Sequence, residues 1–125
     1  MKFVSTRGIA ESCTFEDAVL AGLASDGGLY VPEELPHFSV DTISSWSQLT
    51  YEDLAVNIMY PFVEAEISKK SLEAIIKKSY SVFRNSDIAP MLEFRNNNWI
   101  LELFHGPTLA FKDFALQFLG NLLDH

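Results

Sequence analysis

Phe15, Val19 and Leu23, with Ala18 and Gly22 beside them, recur at helical spacing and predict a helix over roughly 14–24. Thr14-Phe15-Glu16-Asp17 gives it a capping-box start, with a hydroxyl for the first free amides and acids in the first turn. Asp26-Gly27-Gly28 reads as a turn of permissive backbone. Residues 1–6 read as a short strand, and Leu29-Tyr30-Val31 as another that ends at Pro32. Residues 33–48, rich in Pro, Ser and Thr, read as an irregular surface connection. A second helix starts at Thr50, with Leu54, Ile58 and Phe62 four apart. A third runs from about Ser68 to Tyr80, with Leu72, Ile75 and Ile76 inward and the pairs Lys69-Lys70 and Lys77-Lys78 on a solvated face. Asn85 to Pro90 is a break. Met91-Leu92-Glu93-Phe94 and Trp99-Ile100-Leu101-Glu102-Leu103 then flank three asparagines and read as a hairpin or two consecutive strands. Everything after Gly106-Pro107 has helical spacing.

That last stretch is the most apolar in the chain, and it carries a single lysine, Lys112, and no arginine. On a helical wheel Lys112 shares a face with Ala115, Leu116, Leu119 and Leu123, and Phe111, Phe114, Phe118 and Leu122 widen the arc. The polar side holds Asp113, Gln117, Gly120, Asn121 and Asp124. The pattern therefore puts Lys112 at the head of a buried stripe. One reading is a snorkelling lysine, its stem on apolar surface and its ammonium in water. The other is a lysine that works as a neutral amine. Burial beside the positive end of a helix dipole lowers a lysine from its reference pKa of about 10.4, and a neutral amine is what Schiff-base chemistry requires. Spacing alone leaves both open.

Composition narrows the classes of function. The 125 residues suffice for one domain with a real core, and 48% hydrophobic against 21% charged residues mark a globular chain. A net charge of −8, with no basic run longer than a pair, argues against a nucleic-acid partner. The single cysteine, Cys13, fits a reducing compartment; as a nucleophile it lacks local support, and a buried small residue is the expected role. His37, His105 and His125 lie far apart and pair with no cysteine, so no metal site is expected. Gly27-Gly28 is too short for a dinucleotide fingerprint, and no P-loop occurs. The N-terminus has no apolar signal region, and no apolar run approaches the ~18 residues of a membrane span. The expectation is a soluble, cytoplasmic protein with no membrane partner. Mean hydropathy of +0.10 with 13% aromatics implies exposed apolar surface and self-association.

Glu102-Leu103-Phe104 followed by His105-Gly106-Pro107-Thr108-Leu109-Ala110-Phe111-Lys112-Asp113 resembles the pyridoxal phosphate (PLP) lysine motif of the threonine synthase family, which belongs to the tryptophan synthase β-like (fold type II) PLP enzymes. The opening resembles that family's N-terminal signature through Ser5-Thr6-Arg7-Gly8, residues 15–23, and Asp26-Gly27-Gly28-Leu29-Tyr30-Val31-Pro32-Glu33. The resemblance runs through essentially the whole chain in the right order.

It implies an α+β chain, with an N-terminal α+β domain over 1–90 and the start of a fold type II α/β domain over 91–125. A strand, a Gly-Pro turn and a helix would form the first half of a β-α-β unit, so the chain is expected to be the front piece of a larger α/β protein. The implied activity is a PLP-dependent carbon–oxygen lyase that converts O-phospho-L-homoserine and water to L-threonine and phosphate in threonine biosynthesis. The implied cofactor is pyridoxal 5'-phosphate, held by Lys112 as a Schiff base, with Lys112 also catalytic. His105, Thr108 and Asp113 are site-lining candidates that shape the turn, and Asp113 is a candidate cap for the helix start. The family's cofactor-phosphate loop lies beyond residue 125, so this chain alone is expected to be inactive. Two alternatives go with this reading: a threonine synthase-like phospholyase acting on another phosphorylated amine, and a non-catalytic module whose partner supplies the rest of the site.

Overall fold

Thr14 starts the first helix as its neighbours predict: its hydroxyl accepts from the Asp17 amide at 3.1 Å, and the Asp17 carboxylate accepts in turn from the Thr14 amide. In the computed structural model, which describes residues 1–125, this helix, α1 (Phe15–Ala21), follows strand β1 (Phe3–Ser5) and precedes β2 (Tyr30–Pro32). Gly22, at φ +71°, stops α1 short of the predicted residue 24, and Leu23 bridges to Leu29 instead. The chain then forms α2 (Val40–Ser45), α3 (Tyr51–Val63), α4 (Lys69–Tyr80), β3 (Met91–Arg95), β4 (Asn98–Leu101) and α5 (Asp113–Leu123). The result is a small mixed α and β fold. No helix is long and apolar enough to cross a membrane.

Helix α2 corrects the expectation of an irregular connection over 33–48. Ser39 caps it by accepting from the Thr42 amide at 3.1 Å. Six residues are too few to display a helical period, and Val40 and Ile43 are exposed, so no apolar stripe marked it.

The chain divides into two units, residues 1–47 with 57–69, and residues 48–56 with 70–125. In the first, β1 and β2 pair antiparallel, Phe3 opposite Pro32 and Ser5 opposite Tyr30. Phe3, Ala24, Val63 and Ile67 are buried there, and the Phe15 ring lies 5.8 Å from that of Phe3. Cys13, expected to be buried, is half-buried, because its backbone bridges to Phe3 at the edge of this sheet.

The two N-terminal signatures meet at Asp26. Its carboxylate accepts from the Ser5 hydroxyl at 2.7 Å and from the amides of Ala10, Gly28 and Ile9. These donors hold the Asp26 carboxyl well below the usual carboxylate range, the Ser5 hydroxyl foremost. Arg7 donates to the Asp26 carbonyl, and the Thr6 hydroxyl accepts from the Leu29 amide. Gly28 has to be a glycine, since a Cβ there would overlap the Ser5 hydroxyl.

In the second unit α4 has the predicted orientation. Leu72 and Ile76 are fully buried, Ile75 nearly so, and the lysine pairs face outward. Strands β3 and β4 pair antiparallel as a hairpin, turning through Asn97 at φ +60°, with an irregularity between Glu93 and Arg95. Neither strand has a buried residue. Leu92, Phe94, Trp99 and Ile100 are all exposed.

Candidate functional site

Leu103 to Lys112 is not helical, although its spacing predicted helix from Gly106-Pro107 onward. Pro107 and the left-handed Leu109, at φ +63°, turn the chain, and α5 begins only at Asp113. Lys112 is the N-cap, in right-handed helical geometry, and its side chain makes no capping bond. Its carbonyl accepts the first helical bonds, from the Leu116 amide at 2.9 Å and the Ala115 amide at 3.1 Å.

Asp113 organises this turn. It is 1% exposed, and its two carboxylate oxygens accept from the Thr108 amide at 2.8 Å and the Thr108 hydroxyl at 2.7 Å. Its carboxylate therefore closes the loop onto Thr108 rather than capping the amides of α5. Gly106 is packed against that side chain so closely that a Cβ there would collide with it. His105 is held elsewhere: its Nε2 lies 2.6 Å from Glu102 Oε2, both side chains are mostly buried, and the Phe104 ring leans on the imidazole at 4.7 Å. The structure thus brings Thr108 and Asp113 together and directs His105 to Glu102. None of the three bonds to Lys112.

The expectation of a buried lysine is corrected. Lys112 is exposed, and the stripe it heads is open: Leu116 is 55% and Leu123 58% exposed. The reason lies on the opposite face. Asp113 is buried by its bonds to Thr108, and Asn121 donates to the Ser79 hydroxyl at 3.1 Å and to the Gln117 carbonyl at 2.8 Å. The inner face of α5 is therefore mixed: Asp113 and Asn121 turn inward beside Phe114, while Leu116, Leu119 and Leu123 lie outside. The Lys112 amine carries no hydrogen bond or ion pair in the chain, whose only ion pairs are Lys78–Asp124 and His105–Glu102. Its exposure leaves the amine accessible to an aldehyde, the group with which a lysine amine forms a Schiff base.

Sequence reading missed the residues that hold α5 from below. The Tyr80 hydroxyl donates to the Phe114 carbonyl at 3.2 Å. Tyr80, Tyr51, Phe83 and Phe114 form one aromatic cluster, with ring centroids 5.0–6.3 Å apart. Burial raises Tyr80 and Tyr51 above the ordinary phenol value, so both stay neutral. Glu102 was legible as part of the motif, three residues before His105; Tyr80 carried no signal beyond being aromatic.

A family model described as the N terminus of threonine synthase matches residues 2–80. Threonine synthase from Pseudomonas aeruginosa is 55% identical over 125 residues, covering all of this chain and 27% of that protein. Threonine synthase-like 2 from Rattus norvegicus is 40% identical over 126 residues, covering all of this chain and 26% of that protein. The crystal structure of PLP-bound threonine synthase from Brucella melitensis superposes with a TM-score of 0.95 at 44% identity, over 99% of this chain and 27% of that one. The chain spans about a quarter of the length of the curated relatives it matches.

Proposed function

The chain belongs to the threonine synthase N-terminus family, and from that premise we propose that it is the amino-terminal portion of a threonine synthase. The complete enzyme would convert O-phospho-L-homoserine and water to L-threonine and phosphate. The observation that carries this reading is the unpartnered amine of Lys112, set where a helix begins, within the motif His105 to Asp113. Residues 1–90 form the N-terminal domain in this reading, and residues 91–125 begin the fold type II cofactor domain. The PLP-bound Brucella relative supports pyridoxal phosphate as the cofactor.

Lys112 is the residue that would hold the cofactor, through its Nζ. When bound, pyridoxal phosphate supplies an electron sink for the substrate's carbon framework. The work of this chain is to present the amine and then, once the amine is free, to let it hold or move a proton at Nζ. Thr108 and Asp113 shape the turn from which the lysine projects, and His105 is oriented by Glu102. By itself the chain is expected not to turn over.

Borohydride reduction of the complete enzyme with pyridoxal phosphate, followed by peptide mass mapping, tests the assignment. Label on Lys112, lost in Lys112→Ala and Lys112→Arg, supports it, because a guanidinium stays protonated and does not condense with an aldehyde. Label on Lys69, Lys70, Lys77 or Lys78 with Lys112 unmodified overturns it.

A second reading is a phospholyase acting on another phosphorylated amine; the match to a relative named threonine synthase-like 2 shows that the likeness extends past proteins named threonine synthase. Competition between O-phospho-L-homoserine and other phosphorylated amines for phosphate release separates the two.

A further inference from the structure

Lys112 and Asp113 are adjacent in the chain and opposite in environment. The lysine is exposed with no partner, while the aspartate is 1% exposed without a cation beside it. A buried carboxylate is tolerated only when hydrogen bonds replace its water. Here both replacements come from one residue five positions back, Thr108, through its amide at 2.8 Å and its hydroxyl at 2.7 Å. Asp113 is also the first residue of α5, where the helix dipole favours a negative charge.

This two-point link closes the segment 108–113 into a ring of fixed size. Inside the ring Leu109 stands at φ +63°, a left-handed conformation uncommon for a residue with a side chain. Gly106 backs the Asp113 side chain so tightly that no side chain fits between them. One residue further on, the Phe114 carbonyl is hooked by the Tyr80 hydroxyl. The backbone of Lys112 therefore lies inside the segment closed by Thr108 and Asp113, one residue ahead of the anchored start of α5.

We propose that Asp113 is a positioning residue: clamped to Thr108 and backed by Gly106, its carboxylate fixes the backbone from which Lys112 presents its amine. The proposal rests on the reading of Lys112 as the attachment lysine. It assigns to Asp113 the closing of the loop, with no contact to substrate or cofactor. Reacting groups displaced by about 1 Å lose on the order of 100-fold in rate, so the clamp matters to chemistry as well as to folding.

The test uses the complete enzyme and the variants Asp113→Ala, Asp113→Asn and Thr108→Val. Three quantities are read: the rate of borohydride-trapped label on Lys112 by mass, the absorption spectrum of the bound cofactor, and kcat separately from KM. Asp113→Ala is expected to lower kcat by about 100-fold with a smaller change in KM, to slow labelling of Lys112 and to shift the spectrum. Asp113→Asn should recover most of the loss, since its amide can accept from the Thr108 amide while donating to the Thr108 hydroxyl. Thr108→Val, which removes one of the two bonds, should fall between. If Asp113→Ala does not fold, the other two variants decide. Thr108→Val matching the parent in labelling rate, spectrum and kcat overturns the proposal, and so does an Asp113→Ala enzyme that loses stability alone. Label absent from Lys112 in the parent enzyme would instead overturn the attachment reading itself.

Discussion

Asn121 donates to the Ser79 hydroxyl at 3.1 Å, joining α5 to α4 through two polar side chains. Ser79 is fully buried, and its own hydroxyl donates to the Ile75 carbonyl at 2.7 Å. With the Tyr80 bond to the Phe114 carbonyl, the Asn121 contact holds one side of α5 inward, while Leu116 and Leu123 lie outside.

Asn121→Ala should therefore cost about 1 kcal/mol, the usual net worth of such a bond. Urea unfolding followed by circular dichroism measures it. A midpoint equal to that of the parent chain would show that α5 is held by other contacts.

Leu72 is fully buried, so Leu72→Ala should destabilise the second unit by about 2–5 kcal/mol. On the open face the outcome should differ. Leu116→Glu and Leu123→Glu should each change stability by no more than about 0.5 kcal/mol. The 125-residue chain is expected to bind a hydrophobic dye or to self-associate, and the double variant should do so less. Loss of the folded signal in that variant would mean that the stripe is packed after all.

Gly106→Ala should act through Asp113. The added methyl collides with the Asp113 side chain, so either the clamp on Thr108 opens or the loop shifts. Overpacking of this kind costs about 1–3 kcal/mol. Thermal unfolding of Gly106→Ala beside Asp113→Ala and the double variant reads the coupling. Additive losses would show that the two residues act independently.

The Asp26 hub predicts a pH dependence with a definite sign. Its carboxyl is lowered in the folded chain, chiefly by the Ser5 hydroxyl and then by backbone amides. A lowered group contributes stability in full above its unfolded value of about 3.9 and loses it as the pH falls through the folded value. Asp26→Asn should thus be less stable than the parent chain at neutral pH, with the gap closing only below the usual carboxylate range. Urea midpoints across the acid range check this; a gap independent of pH would assign the loss to packing.

Local chemistry in the sequence determined most of the elements. The hydroxyl and carboxylate of Thr14 and Asp17 close a ring four residues long, and that ring forms wherever the segment sits. Leu72, Ile75 and Ile76 face inward because they are the apolar positions of an otherwise charged helix. The asparagines after Phe94 tolerate the left-handed turn that a hairpin needs, and the PLP-lysine motif was legible letter by letter. Tertiary structure decided the rest. Periodicity showed that α5 has an apolar and a polar face but not which residues of each the chain would turn inward. Thr108, Ser79 and Tyr80 settled that by offering partners to Asp113, Asn121 and the Phe114 carbonyl. A buried polar group is tolerated only when the hydrogen bonds it loses to water are replaced, and the Ser79 and Tyr80 partners come from positions that no local pattern connects to α5.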